Sequence, residues 1–171
     1  VAVVLAQRGE GEVTVRFEGG ADGRLTDFGV APLPPYITQR LEDEERYQTV
    51  YASRSGSAAA PTAGLHFTQD LMNRLRADGV GWSEVTLHVG LDTFRPIAVE
   101  NVDEHQIHQE WGEVSQVTAD AIAACRLRGN RVVAVGTTAA RTLETLGRTW
   151  SDVRPTGFTG MTGEFIVPGH D

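Results

Sequence analysis

Three short stretches of this sequence combine residue types that can bind a small molecule or move a proton. Each lies where a strand or loop passes into the next element. The first holds Thr62, Gly64 and His66, the second holds Asp92, Thr93 and Arg95 with His88 just before them, and the third holds Gly136, Thr137, Thr138 and Arg141. Such junctions meet at one edge of a parallel sheet, so we expect them to share one pocket.

A fourth stretch, HQIHQE, carries His105, His108 and Glu110 within six residues. Histidine titrates near neutral pH and a carboxylate can orient it, so this group suits general acid or base catalysis. Two alternatives stay open, a structural hydrogen-bond network and, as the minority interpretation, a set of metal ligands. The spacing does not match the helical HExxH pattern, and a single cysteine, Cys125, excludes a cysteine-rich zinc site. We therefore predict proton transfer and no metal.

Composition and charge exclude several classes of protein. All 15 basic residues are arginine. This excludes a Schiff-base lysine and a P-loop lysine, and leaves guanidinium groups suited to carboxylates and phosphates. The net charge of −8 argues against a nucleic-acid surface over the whole molecule, while a local arginine patch stays open. No apolar run approaches a membrane span and no signal peptide is visible, so the cytoplasm is the expected compartment.

Hydrophobic periodicity predicts an α/β fold with a parallel-type sheet, flanking helices and an all-β start. Residues 1–18 are typical of a hairpin. Residues 69–77 predict a helix capped by Thr68, and further helices are expected after Thr118 and after Gly136. Strands over 80–89 and 131–135 would alternate with these helices, which favours βαβ units.

The proline-rich segment 31–37 is expected to separate two domains. Residues 1–31 are predicted to be the end of a small all-β domain, and residues 32–171 part of the α/β domain. The sequence starts and stops within strand-like runs, which indicates an internal piece of a longer protein. From the residues alone, the prediction is a small-molecule-binding α/β enzyme whose site is rich in arginine and histidine.

Six motifs then follow one another along the chain. They are PLPPYI at 32–37, RYQTVYA at 46–52, APTAGLHFT at 60–68, TLHVGLDTFRPI at 86–97, HQIHQE at 105–110 and AVGTTAARTLE at 134–144. In this order they resemble the S-adenosylmethionine:tRNA ribosyltransferase-isomerase family of queuosine biosynthesis. The resemblance implies transfer of the ribosyl part of S-adenosylmethionine onto 7-aminomethyl-7-deazaguanine at the tRNA wobble position. Isomerisation would give epoxyqueuosine and release adenine and methionine.

The resemblance also implies a larger α/β domain with a smaller, barrel-like β domain. S-adenosylmethionine would be a substrate, with no separate cofactor, and the partner would be tRNA carrying the precursor base. We expect a monomer that does not associate with a membrane. Two competing classes are a non-catalytic module that binds S-adenosylmethionine or a nucleotide, and a metal-dependent hydrolase that uses HQIHQE.

The residues that match the family motifs acquire expected roles from the resemblance. The expected catalytic residues are His105, His108, Glu110 and Arg95. The expected substrate-binding residues are Thr62, Gly64, His66, Thr93, Gly136, Thr137, Thr138 and Arg141. The histidines and the glutamate would transfer protons, and the two arginines would hold a carboxylate or a phosphate. The chain departs from the family pattern at Asp92, where glycine is usual, and at Ile107, where methionine is usual.

Overall fold

The computed structural model describes most of the chain. The described residues are 1–7, 13–19, 24, 29–30, 32–39, 41–94, 99, 101, 105, 107–150 and 156–170. Arg95, predicted as a site residue, lies outside these ranges, and so does the side chain of Asp92. The chain divides into two compact units, Val1–Pro32 and Leu33–Asp171, and each is treated by itself.

The first unit contains the predicted hairpin. Strand β1 (Ala2–Gln7) pairs antiparallel with β2 (Val13–Phe17), and Val4 lies opposite Val15. The amide of Glu18 donates to the carbonyl of Val1 at 2.9 Å and closes the open end of the ladder. The described strands pair with each other, so a barrel-like domain stays a prediction.

The second unit contains a three-stranded antiparallel sheet. Its strands are β3 (Thr86–His88), β4 (Glu110–Val114) and β5 (Phe158–Thr162), in the order β3-β4-β5. The predicted parallel-type sheet is therefore not confirmed within the described residues, although the mixed α/β class is. The strand expected over 80–89 is limited to its last part, and residues 131–135 do not join a strand ladder.

Strands β4 and β5 were not predicted, because apolar side chains do not form most of their buried face. In β4 the buried positions are Glu110, Gly112 and Val114, only one of which is a hydrophobic side chain. In β5 the buried residue is Thr162, whereas Met161 is exposed. The alternating apolar signal that identifies a half-buried strand is therefore missing.

The described part of the second unit also contains three α-helices, of which the first two begin at residues 69 and 116. Helix α1 (Gln69–Ala77) begins as predicted, because the Thr68 hydroxyl accepts a hydrogen bond from the Leu71 amide at 3.1 Å. Helix α2 (Gln116–Leu127) begins before the predicted cap, since Ser115 is its N-cap. Thr118 instead lies inside α2, where its hydroxyl donates to the carbonyl of Glu84 at 3.0 Å. The prediction of Thr118 as the cap was therefore wrong.

Helix α3 (Thr137–Thr149) completes the core. The buried centre of the hydrophobic core consists of Val114, Ile122 and Leu146. Leu143 of α3 and Trp150, which follows this helix, pack against them. Among the described residues, no helix has the length and hydrophobicity needed to cross a bilayer; α3, the longest, has 13 residues.

The close approach of β4 to α3 gives a testable prediction. A Cβ atom at Gly112 would lie 3.2 Å from Cγ2 of Thr142 on α3, so there is little room for a side chain. We expect Gly112→Val to lower the free energy of unfolding by about 1–3 kcal/mol through overpacking. Urea denaturation measures this. Gly160→Val is the matched control on β5, directly opposite Gly112, where the nearest atom would lie at 3.6 Å. Equal losses in the two variants would contradict the packing argument.

Candidate functional site

A cavity of about 510 Å³ in the second unit brings parts of all three predicted junctions together. Its walls are formed by residues 34–36, Tyr47, 59–63, Val89, 93–94 and 136–138. Five predicted substrate-binding residues line it: Thr62, Thr93, Gly136, Thr137 and Thr138. Its volume lies within the range of about 300–1,000 Å³ that is usual for small-molecule sites. The expectation of one shared hollow therefore holds for these five residues.

Hydrogen bonds hold one wall of the cavity against the end of β3. The Ala58 amide donates to the carbonyl of Val89 at 2.8 Å. The Val89 amide donates to the hydroxyl of Ser57 at 2.9 Å, and that hydroxyl donates to the carbonyl of Ala59 at 2.8 Å. These bonds tie the small-residue loop to the strand. The neighbouring residues up to Ala63 are thereby positioned to line the cavity.

The N-terminus of α3 forms another part of the wall. Gly136 has a φ of +97°, a conformation that L side chains rarely adopt, and it provides no side-chain cap. The amides of the first helical turn lack intrahelical partners, and the helix dipole makes this end positive. The cavity therefore has one end suited to a negatively charged group, next to the hydroxyls of Thr137 and Thr138.

Tyr47 lines the cavity and was missed as a site residue. Burial raises the pKa of its phenol above the ordinary value of 10.0, and the nearby Tyr36 raises it further. At neutral pH Tyr47 is thus a hydrogen-bonding phenol, not a base. Its place in the RYQTVYA motif was the available signal. Tyr51, four residues later in the same motif, lies beyond the single helical turn Glu44–Tyr47.

A second, larger cavity of about 1030 Å³ lies in the same unit and shares Pro61 with the first. It is lined mainly by apolar residues of α1 and α2 and by the segments 79–85 and 130–135, with Tyr51 at its wall. No predicted site residue in the described part of the chain lines it. Its lining includes three charged residues, Glu84, Arg128 and Arg131. The smaller cavity is the better candidate site because five of the predicted site residues line it.

Buried Tyr47 and half-buried Tyr51 predict how stability responds to alkaline pH. Burial raises the pKa of both Tyr47 and Tyr51, with Tyr36 and Glu84 as the smaller causes. Above pH 10.0 the unfolded chain releases protons that the folded chain keeps, so stabilisation present below this pH is lost as the pH rises. Urea denaturation at about pH 9 and about pH 11 should show a smaller drop for Tyr47→Phe/Tyr51→Phe than for the unchanged chain. An equal drop would contradict this.

A charged network forms around the second half of HQIHQE. Glu110 is buried at the start of β4, and its Oε1 lies 2.9 Å from Nε2 of His108. Its other oxygen, Oε2, pairs with the guanidinium of Arg141 on α3. Arg141 also donates from NH1 to the carbonyl of His108 at 3.4 Å. Three predicted site residues are therefore brought together, although none of them lines the 510 Å³ cavity. Arg141 lies one helical turn after Thr137 on α3.

The remaining predicted residues lie apart from the cavity wall. Gly64 is buried, and a Cβ there would overlap the hydroxyl of Tyr51 and lie 2.9 Å from Cγ2 of Thr49, so this glycine permits close packing. His66 is exposed. His105 packs its ring against Phe165, with the ring centroids 5.2 Å apart. The roles predicted for these residues stay predictions.

The HQIHQE stretch was also considered as a metal site. Within the ranges that the structure describes, no group of three or more His, Cys, Asp or Glu side chains is arranged to hold a metal ion. His108 and Glu110 bond to each other, and Gln106 lies outside the described residues. The arrangement matches a hydrogen-bonded pair of histidine and carboxylate.

Together, the fold and the site define a mixed α/β protein with one polar-ended cavity of small-molecule size and a buried charged network on the adjoining helix. The chain belongs to the family described as queuosine biosynthesis protein, whose model it matches over residues 1–171. The resemblance seen in the six ordered motifs is thereby confirmed.

Similar proteins in staphylococci carry one common name, S-adenosylmethionine:tRNA ribosyltransferase-isomerase. The chain is 51% identical to that of Staphylococcus saprophyticus over 155 residues, covering 91% of this chain and 45% of the relative. It is 52% identical to that of Staphylococcus epidermidis over 157 residues, covering 92% and 46%. For Staphylococcus aureus the identity is 50% over 157 residues, with the same coverage of 92% and 46%. The chain thus spans somewhat under half the length of these relatives.

Proposed function

We propose that this chain is part of an S-adenosylmethionine:tRNA ribosyltransferase-isomerase. The reaction would transfer the ribosyl part of S-adenosylmethionine to 7-aminomethyl-7-deazaguanine at the tRNA wobble position and isomerise it. The products would be epoxyqueuosine-tRNA, adenine and methionine. The observation that carries the proposal is the 510 Å³ cavity, which is lined by residues from five of the six family motifs. Its support from sequence is the identity of about half with relatives of that name.

The cavity suits the parts of S-adenosylmethionine. The apolar wall, with Pro34, Pro35 and Tyr47, offers a surface for the flat adenine ring. Hydroxyls of Thr62 and Thr93 can hydrogen-bond to ribose. The first turn of α3, with Thr137, offers amides and a positive dipole end to the methionine carboxylate. We propose this orientation of the substrate within the cavity.

The proposed chemistry needs a base and an acid. The positive sulfonium acidifies the C–H bond beside it, and a histidine or carboxylate base removes that proton. Adenine leaves more readily when an acid donates a proton to it. We propose that His105, His108 and Glu110 include the residues that transfer these protons. Arg95 would hold an anionic group of a substrate. S-adenosylmethionine is consumed, and no separate cofactor or metal is proposed.

The finer features of the whole protein are proposals as well. We propose that the whole protein has a parallel-type sheet that includes residues 80–89 and 131–135, and a barrel-like domain that includes β1 and β2. We also propose that the protein acts as a cytoplasmic monomer without membrane association. Analytical ultracentrifugation tests the monomer, since a sedimentation coefficient that rises with concentration would contradict it.

Adenine release tests the proposed activity. The purified protein is mixed with S-adenosylmethionine and tRNA that carries the precursor base, and adenine is quantified by chromatography. We expect adenine and methionine to appear in equal amounts, together with epoxyqueuosine detected by mass spectrometry of digested tRNA. Unmodified tRNA is the control and should give no adenine. Tight binding of S-adenosylmethionine with no product would instead favour the non-catalytic module.

A further inference from the structure

Glu110 holds a position that is unusual for a group expected to exchange protons with a substrate. Its side chain is 0% exposed, and both of its oxygens are engaged. Oε1 lies 2.9 Å from Nε2 of His108, and Oε2 pairs with Arg141, whose side chain is 9% exposed. A substrate could reach this carboxylate only by displacing one of these partners. The accessible member of the network is His108, with 24% of its side chain exposed.

The pairing of Glu110 determines which nitrogen of His108 carries the proton. A guanidinium is always charged and only donates, so the carboxylate that it holds accepts hydrogen bonds at both oxygens. The nitrogen facing Oε1 must therefore donate, which places a proton on Nε2. In the neutral imidazole the other nitrogen, Nδ1, is then the acceptor. This is the arrangement that a proton-accepting histidine requires.

Neighbouring groups keep the carboxylate and the guanidinium in place. Arg141 donates from NH1 to the carbonyl of His108, so one side chain holds both the backbone of the histidine and its carboxylate partner. The carbonyl of Arg141 accepts from Thr145, whose hydroxyl also lies 2.6 Å from that of Thr162. Thr162 is the partner of Glu110 across the β4–β5 ladder. The network thus connects α3 with both strands.

We propose that Glu110 and Arg141 are positioning residues that hold His108 in the Nε2–H tautomer, with Nδ1 as the proton acceptor toward the substrate. This inference rests on the proposed function for the identity of the reaction and refines it. Of the three groups expected to transfer protons, His108 is assigned the role of base. Glu110 and Arg141 act through it and do not touch the substrate.

Nitrogen-15 NMR of the histidine rings tests the tautomer without any substrate. Long-range proton–nitrogen spectra of the uniformly labelled chain are recorded on the neutral imidazole, and His108→Gln identifies the signals of His108. We expect Nε2 to resonate as a protonated nitrogen and Nδ1 as an unprotonated one. The opposite tautomer, or an even mixture, would overturn the proposal. This measurement on the unchanged chain stands even if a variant fails to fold.

A pair of glutamate variants on β4 tests the positioning role. Glu110→Gln should give His108 a measurable share of the Nδ1–H form, because the side-chain amide can donate to Nε2. Glu113→Gln is the matched control, since Glu113 pairs with the exposed Arg54 and should leave the spectrum unchanged. A spectrum of Glu110→Gln identical to that of the unchanged chain would contradict the inference.

Kinetics separate this inference from the proposed function. If adenine release occurs, Glu110→Gln should lower kcat by about 100-fold, which is within the contribution of a positioned proton-transfer group, with KM for S-adenosylmethionine unchanged. A rise in KM with unchanged kcat would overturn the positioning role. A correct tautomer with no adenine release from the unchanged protein would instead overturn the proposed function and leave the positioning intact.

Discussion

Replacing Glu110 by leucine is expected to lower the free energy of unfolding by about 3–5 kcal/mol. The substitution leaves the guanidinium of Arg141, only 9% exposed, buried between α3 and the sheet without its carboxylate. Without its partner, the buried charge is desolvated and no favourable electrostatic interaction compensates for this. Urea denaturation followed by circular dichroism measures the change, provided that the slope with denaturant stays constant.

Two further variants make this result specific to the buried pair. In Glu110→Leu/Arg141→Met both members of this buried ion pair are replaced by uncharged side chains, so we expect most of the lost stability to return. In Glu113→Leu the partner is Arg54, whose side chain is 54% exposed, and the loss should stay below about 1 kcal/mol. A double variant no more stable than Glu110→Leu alone would contradict the account of the buried ion pair.

Replacing Thr137 by tryptophan is expected to weaken binding of S-adenosylmethionine by more than about 100-fold, or about 2.8 kcal/mol. Thr137 lines the 510 Å³ cavity at the first position of α3, and an indole there would occupy part of the space needed by the ligand. The residue is exposed, so the larger side chain needs no rearrangement of the core. Isothermal titration calorimetry with the unchanged chain and the variant measures the difference.

Thr159→Trp provides the matched control for this binding experiment. Thr159 is exposed on β5, and it lines neither cavity. We expect this variant to bind S-adenosylmethionine as the unchanged chain does. Circular dichroism of both variants should match that of the unchanged chain. If Thr137→Trp retains full affinity, S-adenosylmethionine does not occupy the cavity in the proposed way.

The sequence correctly predicts features that depend only on residues close together in the chain. Thr68 was predicted to cap α1, and its hydroxyl does so, because an N-cap depends on residues within one turn. The start of α2 was less certain, since both Ser115 and Thr118 have hydroxyls that can cap. Ser115 is the cap because a tertiary contact takes the hydroxyl of Thr118 to the carbonyl of Glu84. A contact across 34 residues is not visible in a local pattern.

The sheet was harder to predict because its buried face carries an ion pair and a glycine. Glu110 fills an inward position of β4 only because Arg141, 31 residues later, neutralises it there. Gly112 fills the next, where Thr142 of α3 comes close. Neither glutamate nor glycine is a residue type that by itself indicates the buried face of a strand. The antiparallel order of β3, β4 and β5 could not be derived from residues that gain their role through tertiary partners.

The candidate site was predicted in part, for a similar reason. Strand ends and glycines indicated that Thr62, Thr93 and Thr137 would meet, and they line one cavity. Gly64 gave the same signal, yet it packs against Tyr51. Tyr47 gave no such signal because its position at the cavity follows from burial, which a single tyrosine in a charged segment does not reveal. Only the family motif indicated that segment.

Amide chemical-shift mapping during titration with S-adenosylmethionine tests the central claim most directly, because it distinguishes the two cavities. If S-adenosylmethionine binds the 510 Å³ cavity, the amides of residues 62–63, Val89 and 136–138 should shift together and saturate at a single affinity. Shifts confined to residues 79–85 and 130–135, which line the larger cavity, would contradict the account. So would spectra that remain unchanged at millimolar ligand.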